Sequence, residues 1–143
     1  MSPKLVLHID DDDDDLELMK DAIQSIDGFL LKQCSSGKEG LRFLEQAKTF
    51  GDLPCLIILD MNMPEMDGMY LVKKIKADEV LSKVPVIVFT TSNGLADHEF
   101  CKKHSVPMFV KPYALKDFNG VVQNILKHGN DDISAYRQPS STS

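Results

Sequence analysis

The run Cys55-Leu-Ile-Ile-Leu-Asp60 places five apolar residues directly before a carboxylate. It is apolar at every position instead of every second one, which is the pattern of a strand buried on both faces of a parallel sheet. Two similar runs lie elsewhere in the chain, at residues 4–9 and 84–89, and two weaker ones at 29–34 and 106–110. We therefore predict five parallel strands.

Helical patterns separate these five runs. Apolar residues recur every three or four positions between the strands, as expected of helices that pack one face on a sheet. The four clearer stripes are Leu16, Met19, Ile23 and Ile26; Leu41, Leu44 and Ala47; Leu71, Val72 and Ile75; and Leu115, Phe118, Val122 and Ile125. Residues 93–104 form the weakest stripe.

The resulting order of alternating strands and helices predicts the α/β class, with helices on both faces of a parallel sheet. Pro107 lies within the fifth predicted strand, and because proline cannot donate to a central ladder, it indicates an edge strand. A flavodoxin-like, doubly wound sheet of five strands in the order 2-1-3-4-5, with five helices, puts that strand at an edge.

The length and composition predict one domain and exclude several functions. We assign residues 1–128 to the domain and expect residues 129–143, which are mostly polar, to form a flexible tail. The net charge of −6 argues against a nucleic-acid surface. No apolar run has the length of a membrane span or a secretory signal, so we expect a cytoplasmic protein. Cys34, Cys55 and Cys101 are expected to be reduced and buried.

Polar residues follow the predicted strands at their carboxyl ends. Asp10 and Asp11 follow the first strand, and Asp60 follows the third. Thr90 ends the fourth strand and Lys111 follows the fifth. Ligands of open parallel sheets bind beyond these ends, so we expect the five side chains to meet at one rim. Crowded carboxylates suit Mg²⁺, beside which Asp60 could attack phosphorus while Thr90 and Lys111 contact phosphoryl oxygens.

Simpler interpretations apply to some of these residues. Most of the acidic run from Asp12 to Asp15 is expected to be a solvated helix start, where negative charge is favourable. A calcium loop starting at Asp10 would need glycine and glutamate where Asp15 and Asp21 stand. His8 is expected to be a core histidine. Thr90 and Lys111, taken singly, would be an ordinary strand-end hydroxyl and a surface lysine.

The segment Asp60-Met-Asn-Met-Pro-Glu-Met-Asp-Gly68 resembles the phosphoacceptor segment of bacterial response-regulator receiver domains. The resemblance extends to Ile9-Asp-Asp11, Val88-Phe-Thr-Thr91 and Val110-Lys-Pro112, in the order the family has them. It covers residues 4–128, and it is specific because four motifs agree in register.

The resemblance implies a stand-alone, chemotaxis-type response regulator of a two-component phosphorelay. Asp60 would accept a phosphoryl group from a phosphohistidine of a histidine kinase or a histidine phosphotransfer protein. Asp11, Asp60 and the backbone carbonyl of Asn62 would bind Mg²⁺, with Asp10 acting through water. Thr90 and Lys111 would contact the phosphoryl group, and the Lys111–Pro112 bond would be cis.

The same resemblance has consequences for activity and output. Such a domain catalyses its own phosphorylation and slow dephosphorylation and is not a turnover enzyme. With about fifteen residues after His128 we expect no DNA-binding output domain. The output would be altered binding to a downstream protein, and a homodimer would form through the face of the fourth helix, fifth strand and fifth helix.

The sequence departs from the family pattern in three places. Met108 stands where the family often has an aromatic residue, and Phe109 next to it is the alternative. Thr91 is bulkier than the usual small residue after the strand-four threonine. Residues 47–54 are expected to form an extended loop before the third strand.

Two rival functions share parts of this residue set. A haloacid-dehalogenase-type phosphatase also uses a nucleophilic aspartate, but here its acidic residue two positions later is Asn62, and the acidic pair comes early in the chain. A receiver-like binding module that works without phosphorylation is the other rival. The complete set of aspartates, threonine and lysine argues against it.

Overall fold

The computed structural model describes residues 3–91 and 94–141, with side chains as far as residue 129. Five strands alternate with five helices along the chain. They are β1 (Lys4–Ile9), α1 (Asp13–Gln24), β2 (Phe29–Cys34), α2 (Gly37–Phe50), β3 (Leu56–Leu59), α3 (Gly68–Ala77), β4 (Val86–Thr90), α4 (Leu95–Lys103), β5 (Met108–Val110) and α5 (Phe118–Ser141). Single 3₁₀ turns at Leu81–Lys83 and Leu115–Asp117 precede β4 and α5.

The strands form one sheet in the order β2-β1-β3-β4-β5, and every neighbouring pair is parallel. The predicted class, strand order and number of helices are therefore confirmed. β1, β3 and β4 are central strands, and β5 lies at one edge as Pro107 indicated.

Alternate residues of the central strands build two cores, one on each face of the sheet. Ile57 and Leu59 belong to the core formed with α2, α3 and α4. Leu56 and Ile58 belong to the opposite core, formed with α1 and α5. Burial on both faces explains why the stretch from residue 55 to 59 carries no polar residue.

Local boundaries differ from the sequence prediction in three places. Pro107 lies just before β5, where its carbonyl accepts a hydrogen bond from the backbone N–H of Val88 (3.0 Å). The expected extended loop at 47–54 is shorter, because α2 continues to Phe50 and ends on Gly51 in the left-handed conformation. Leu115 lies in a 3₁₀ turn, ahead of α5.

The expected cis peptide at Lys111–Pro112 is wrong, because the bond is trans in the structure. Trans is the form that X–Pro bonds prefer, by about 0.5–1 kcal/mol. The described residues contain no cis peptide bond.

α5 continues to Ser141, and its side chains beyond residue 129 lie outside the described set. The division into a domain at 1–128 and a flexible tail at 129–143 therefore stays a prediction. Ser92 and Asn93, the latter the expected start of α4, also lie outside the described residues. Among the helices that are described, none combines the length and the apolarity that crossing a bilayer requires.

Candidate functional site

The backbone ladder brings the predicted polar residues to one edge of the sheet. The N–H of Asp10 donates to the carbonyl of Cys34 (3.1 Å), and that of Asp60 donates to the carbonyl of Ile9 (3.1 Å). The N–H of Lys111 donates to the carbonyl of Thr90 (2.9 Å). Each of these three residues thus continues the hydrogen bonding between two parallel strands for one residue beyond the end of its own strand. Asp10, Asp60, Thr90 and Lys111 are all buried at this edge.

The ammonium of Lys111 binds three carboxylates. Its Nζ lies 2.7 Å from Oδ2 of Asp10, 2.6 Å from Oδ2 of Asp15 and 3.2 Å from Oδ2 of Asp60. Asp12, Asp13 and Asp14 are exposed, as expected of a solvated helix start, and Asp15 is the exception because it bonds to Lys111. The sequence carries no signal for Asp15, because every residue from 10 to 15 is aspartate.

Three carboxylates form a cluster that could hold a metal ion. One oxygen from each of Asp10, Asp11 and Asp60 lies within 4.8 Å of the other two. Asp10 and Asp60 are buried while Asp11 is exposed, so one side of the cluster is open to solvent. Carboxylate oxygens at this density repel one another, and they are the ligands that hard divalent cations prefer. The donor set therefore fits a divalent cation.

The electrostatics of the cluster follow from burial and from Lys111. Burial raises the pKa of Asp10 to about 6, although its hydrogen bond from Lys111 works in the opposite direction. Burial alone lowers the pKa of Lys111, but its hydrogen bonds to Asp10 and Asp15 outweigh that effect and hold the pKa above the usual lysine value. The amine is therefore charged at neutral pH.

His8 is buried beneath the cluster, as expected of a core histidine. The amide nitrogen of Gln33 donates to the carbonyl of Leu16 (2.7 Å) and also faces Nδ1 of His8 (3.1 Å), so Nδ1 is the acceptor. Nε2 therefore carries the ring proton. The distance from Nε2 to Oδ2 of Asp10 is 3.8 Å. Burial, and secondly the charge of Lys111, lowers the pKa of His8 to about 3, so the ring is neutral.

The loop between β3 and α3 fixes the backbone and the side chain of Asp60. The N–H of Gly68 donates to the carbonyl of Met61 (3.0 Å), and a Cβ at residue 68 would lie 2.6 Å from the carbonyl oxygen of Asp60. Glycine is needed here because no side chain fits that approach. The N–H of Asn62 donates to Oδ1 of Asp60 (3.3 Å). The loop methionines contribute to the core: Met61 and Met63 are buried, and Met66 and Met69 pack against the same core.

The two candidates for a switch residue on β5 lie on opposite faces of the sheet. Met108 packs on the core that includes Cys101 of α4. Phe109 packs on the α1 and α5 side, where its ring meets that of His128 edge-on with centroids 5.6 Å apart. Thr90 pairs with Val110, two residues after Met108. Met108, and not Phe109, therefore lies on the face that β5 shares with α4.

The charge of Asp10 is expected to cost the metal-free protein stability. Its folded-state pKa of about 6 exceeds the ordinary 3.8, so the folded state binds the proton more tightly than the unfolded chain. Stability from this group is therefore lost as the pH rises from about 4 to about 6. We expect Asp10→Asn to raise the free energy of unfolding by on the order of 3 kcal/mol at about pH 7.5, and by little near pH 4.

Urea unfolding in chelator at both pH values measures this difference, with Asp14→Asn, an exposed residue of the same run, as the control. The depressed pKa of His8 gives the opposite pH slope in wild type and variant alike, so comparison at one pH isolates Asp10. An Asp10→Asn protein no more stable than wild type at the higher pH would contradict the argument.

A five-stranded parallel sheet with an aspartate cluster and a lysine at its carboxyl edge is the arrangement that the resemblance to receiver domains implied. The family model described as response regulator receiver domain matches residues 6–123. The response regulator Rcp1 of Synechocystis sp. is 31% identical over 131 residues, which is 86% of each chain.

Two solved structures agree with this result. The phosphorylated cyanobacterial phytochrome response regulator RcpA superposes with a TM-score of 0.80 at 26% identity, covering 87% of this chain and 91% of its own. The Mn²⁺-bound form of Rcp1 gives a TM-score of 0.78 at 30% identity, covering 86% and 91%. The chain belongs to the response regulator receiver domain family of two-component signalling. This membership decides against the haloacid-dehalogenase-type phosphatase.

Proposed function

We propose that Asp60 accepts a phosphoryl group from a phosphohistidine and that the phosphorylated domain changes which protein it binds. The contact between the Lys111 ammonium and the Asp60 carboxylate (3.2 Å) carries this proposal, because it places a fixed positive charge beside the attacking oxygen. RcpA, which has the same fold, is described in a phosphorylated form.

The transfer can be written with the residues of this site. An oxygen of Asp60 forms a bond to phosphorus while the P–N bond of the donor breaks, and the leaving imidazole keeps the electron pair of that bond. Lys111 turns one N–H to a phosphoryl oxygen, and the Thr90 hydroxyl contacts another. These groups act by position and charge, which is the main contribution a protein makes to phosphoryl transfer.

The same proposal assigns a divalent cation, Mg²⁺, to Asp10, Asp11, Asp60 and the backbone carbonyl of Asn62. When bound, Mg²⁺ supplies positive charge that offsets the carboxylates and the phosphoryl oxygens. Rcp1, 31% identical, is described with bound Mn²⁺. The open side of the cluster, at the exposed Asp11, leaves room for waters and phosphate oxygens.

Asp11→Ala is expected to weaken Mg²⁺ binding by about tenfold or more, since one charged ligand is lost. Isothermal titration with MgCl₂ measures the affinity. Asp13→Ala is the matched control, because Asp13 is an exposed member of the same acidic run and lies outside the cluster. Equal affinity of Asp11→Ala and wild type would remove the cation from this site.

Histidine kinases or histidine phosphotransfer proteins are the phosphoryl donors in this proposal, and a downstream protein binds the phosphorylated domain. We assign the output to the face of α4, β5 and α5. Val110, Tyr113 and Leu115 are exposed on β5 and the segment that follows it, and Leu95 is exposed at the start of α4. A homodimer through this face would cover them. Three free, buried cysteines suit the reducing cytoplasm, where we place the chain.

Acetyl phosphate with Mg²⁺ tests the function without knowledge of the kinase. We expect intact-mass spectrometry to find one added phosphoryl group per chain, and borohydride reduction followed by peptide mapping to locate it on Asp60. We expect no steady turnover of a phosphate monoester, because in this proposal the domain catalyses only its own phosphorylation and slow dephosphorylation. A wild-type protein that takes no label would contradict the proposal and favour the phosphorylation-independent binding module.

A further inference from the structure

Asp15 holds the Lys111 ammonium from outside the carboxylate cluster. The 2.6 Å distance between its Oδ2 and Nζ is the shortest of the three that Lys111 makes. The backbone of Asp15 is itself fixed, because its N–H donates to the side chain of Asp12, the residue that caps α1. The contact therefore ties the start of α1 to the segment after β5.

Counting donors shows what Asp15 does when Asp60 is modified. An ammonium has three N–H groups, and in this structure three carboxylates accept them. A phosphoryl group on Asp60 takes over one of the three. The other two N–H groups keep Asp10 and Asp15 as acceptors, so the amine stays in place while its third partner changes.

The role of Asp15 grows when a cation occupies the cluster. Asp10 and Asp60 are then shared between the cation and the ammonium, and the two positive charges repel each other. Asp15 is not among the three clustered carboxylates, so it keeps the whole of its hydrogen bond from Lys111. Within the described part of the chain, it is the one acceptor of the Lys111 amine that the cation does not compete for.

We propose that Asp15 is a positioning residue for Lys111, which keeps the amine beside Asp60 when a divalent cation is bound. This inference rests on the proposed function of Asp60. The attachment is a hydrogen bond from Nζ to a side-chain oxygen on α1. An uncharged acceptor of the same shape therefore retains the positioning.

Two variants separate the hydrogen bond from the charge. Asp15→Asn and Asp15→Ala both remove the negative charge, but only Asp15→Asn keeps an oxygen acceptor. At saturating Mg²⁺ we expect Asp15→Ala to take label from acetyl phosphate about tenfold more slowly, the loss that one hydrogen bond to a charged group brings. We expect Asp15→Asn to stay within about threefold of wild type. Asp14→Ala is the control, since Asp14 is exposed and is not a partner of Lys111.

A second readout does not depend on phosphorylation. NMR of the lysine ammonium protons, in Mg²⁺, should show one slowly exchanging signal from Lys111 in wild type and in Asp15→Asn, and none in Asp15→Ala. The proposal is overturned if Asp15→Asn and Asp15→Ala take label equally slowly, or if neither variant takes label more slowly than wild type. Should wild type take no label, the proposed function fails, and the ammonium signal alone decides whether Asp15 holds the amine.

Discussion

Asp60→Asn is expected to abolish labelling by acetyl phosphate, with a loss of more than about a hundredfold in rate. The amide oxygen of asparagine is a poor nucleophile, while its size and its ability to accept the Asn62 N–H (3.3 Å in wild type) are kept. The fold should therefore survive. Removing one negative charge from the crowded cluster also relieves repulsion among the remaining carboxylates.

The measurement is intact-mass spectrometry after a time course with acetyl phosphate and Mg²⁺. Asp67→Asn is the matched control, because Asp67 lies in the same loop as Asp60 and is the N-cap of α3. Its carboxylate accepts a hydrogen bond from the N–H of Tyr70 (2.9 Å), and asparagine caps a helix equally well. The control should label like wild type. Label that persists in Asp60→Asn at the wild-type rate would show that another residue is the acceptor.

The sequence predicted the sheet and the meeting of the site residues because both follow from local patterns and one rule of topology. The apolar run before Asp60 required burial on both faces, and burial on both faces required a parallel sheet with helices on each side. Once the order of the strands was given, Asp10, Asp60 and Lys111 had to lie at the same edge. Their separation of up to 101 residues in the chain did not matter.

What the sequence could not supply was the direction of individual side chains. Asp15 lies in a run of six aspartates, and nothing in the run distinguishes the one that bonds to Lys111. The choice between Met108 and Phe109 likewise depended on where β5 begins, because a shift of one residue reverses the face of every side chain. The network from Gln33 to His8 required the parallel register of β1 and β2, which pairs these two residues.

Lys111→Met is expected to destabilise the metal-free protein by about 3–5 kcal/mol at about pH 7.5, because it leaves buried carboxylates without their cation. The Lys111 side chain is only 5% exposed, and it pairs with Asp10, which is 1% exposed. The pKa of Lys111 is held above its usual value, so the amine stays charged throughout the range from about pH 4 to 8.

The loss should depend on pH through Asp10. Its pKa of about 6 is already raised by burial, and the Lys111 contact that works against this shift is absent from the variant. The folded-state pKa of Asp10 is therefore higher in the variant than in wild type. The destabilisation is small near pH 4, where Asp10 is protonated in both folded proteins, and it grows above about pH 6, where Asp10 ionises in folded wild type but stays protonated in the folded variant. Urea unfolding at about pH 4.5 and about pH 7.5, in chelator, measures both ends. Lys116→Met, at an exposed lysine of the same segment, should show neither effect.

A double variant identifies the cause of the loss. If the cost of Lys111→Met arises from the uncompensated charge of Asp10, then adding Asp10→Asn should restore most of the stability at about pH 7.5, and the two substitutions should be strongly non-additive. If the cost arises from lost packing of the lysine chain, the double variant stays as unstable as Lys111→Met. Saturating Mg²⁺ should likewise stabilise Lys111→Met more than it stabilises wild type, because there the carboxylates have no other positive charge. An equal gain in both proteins would mean that the ammonium is not what balances this cluster.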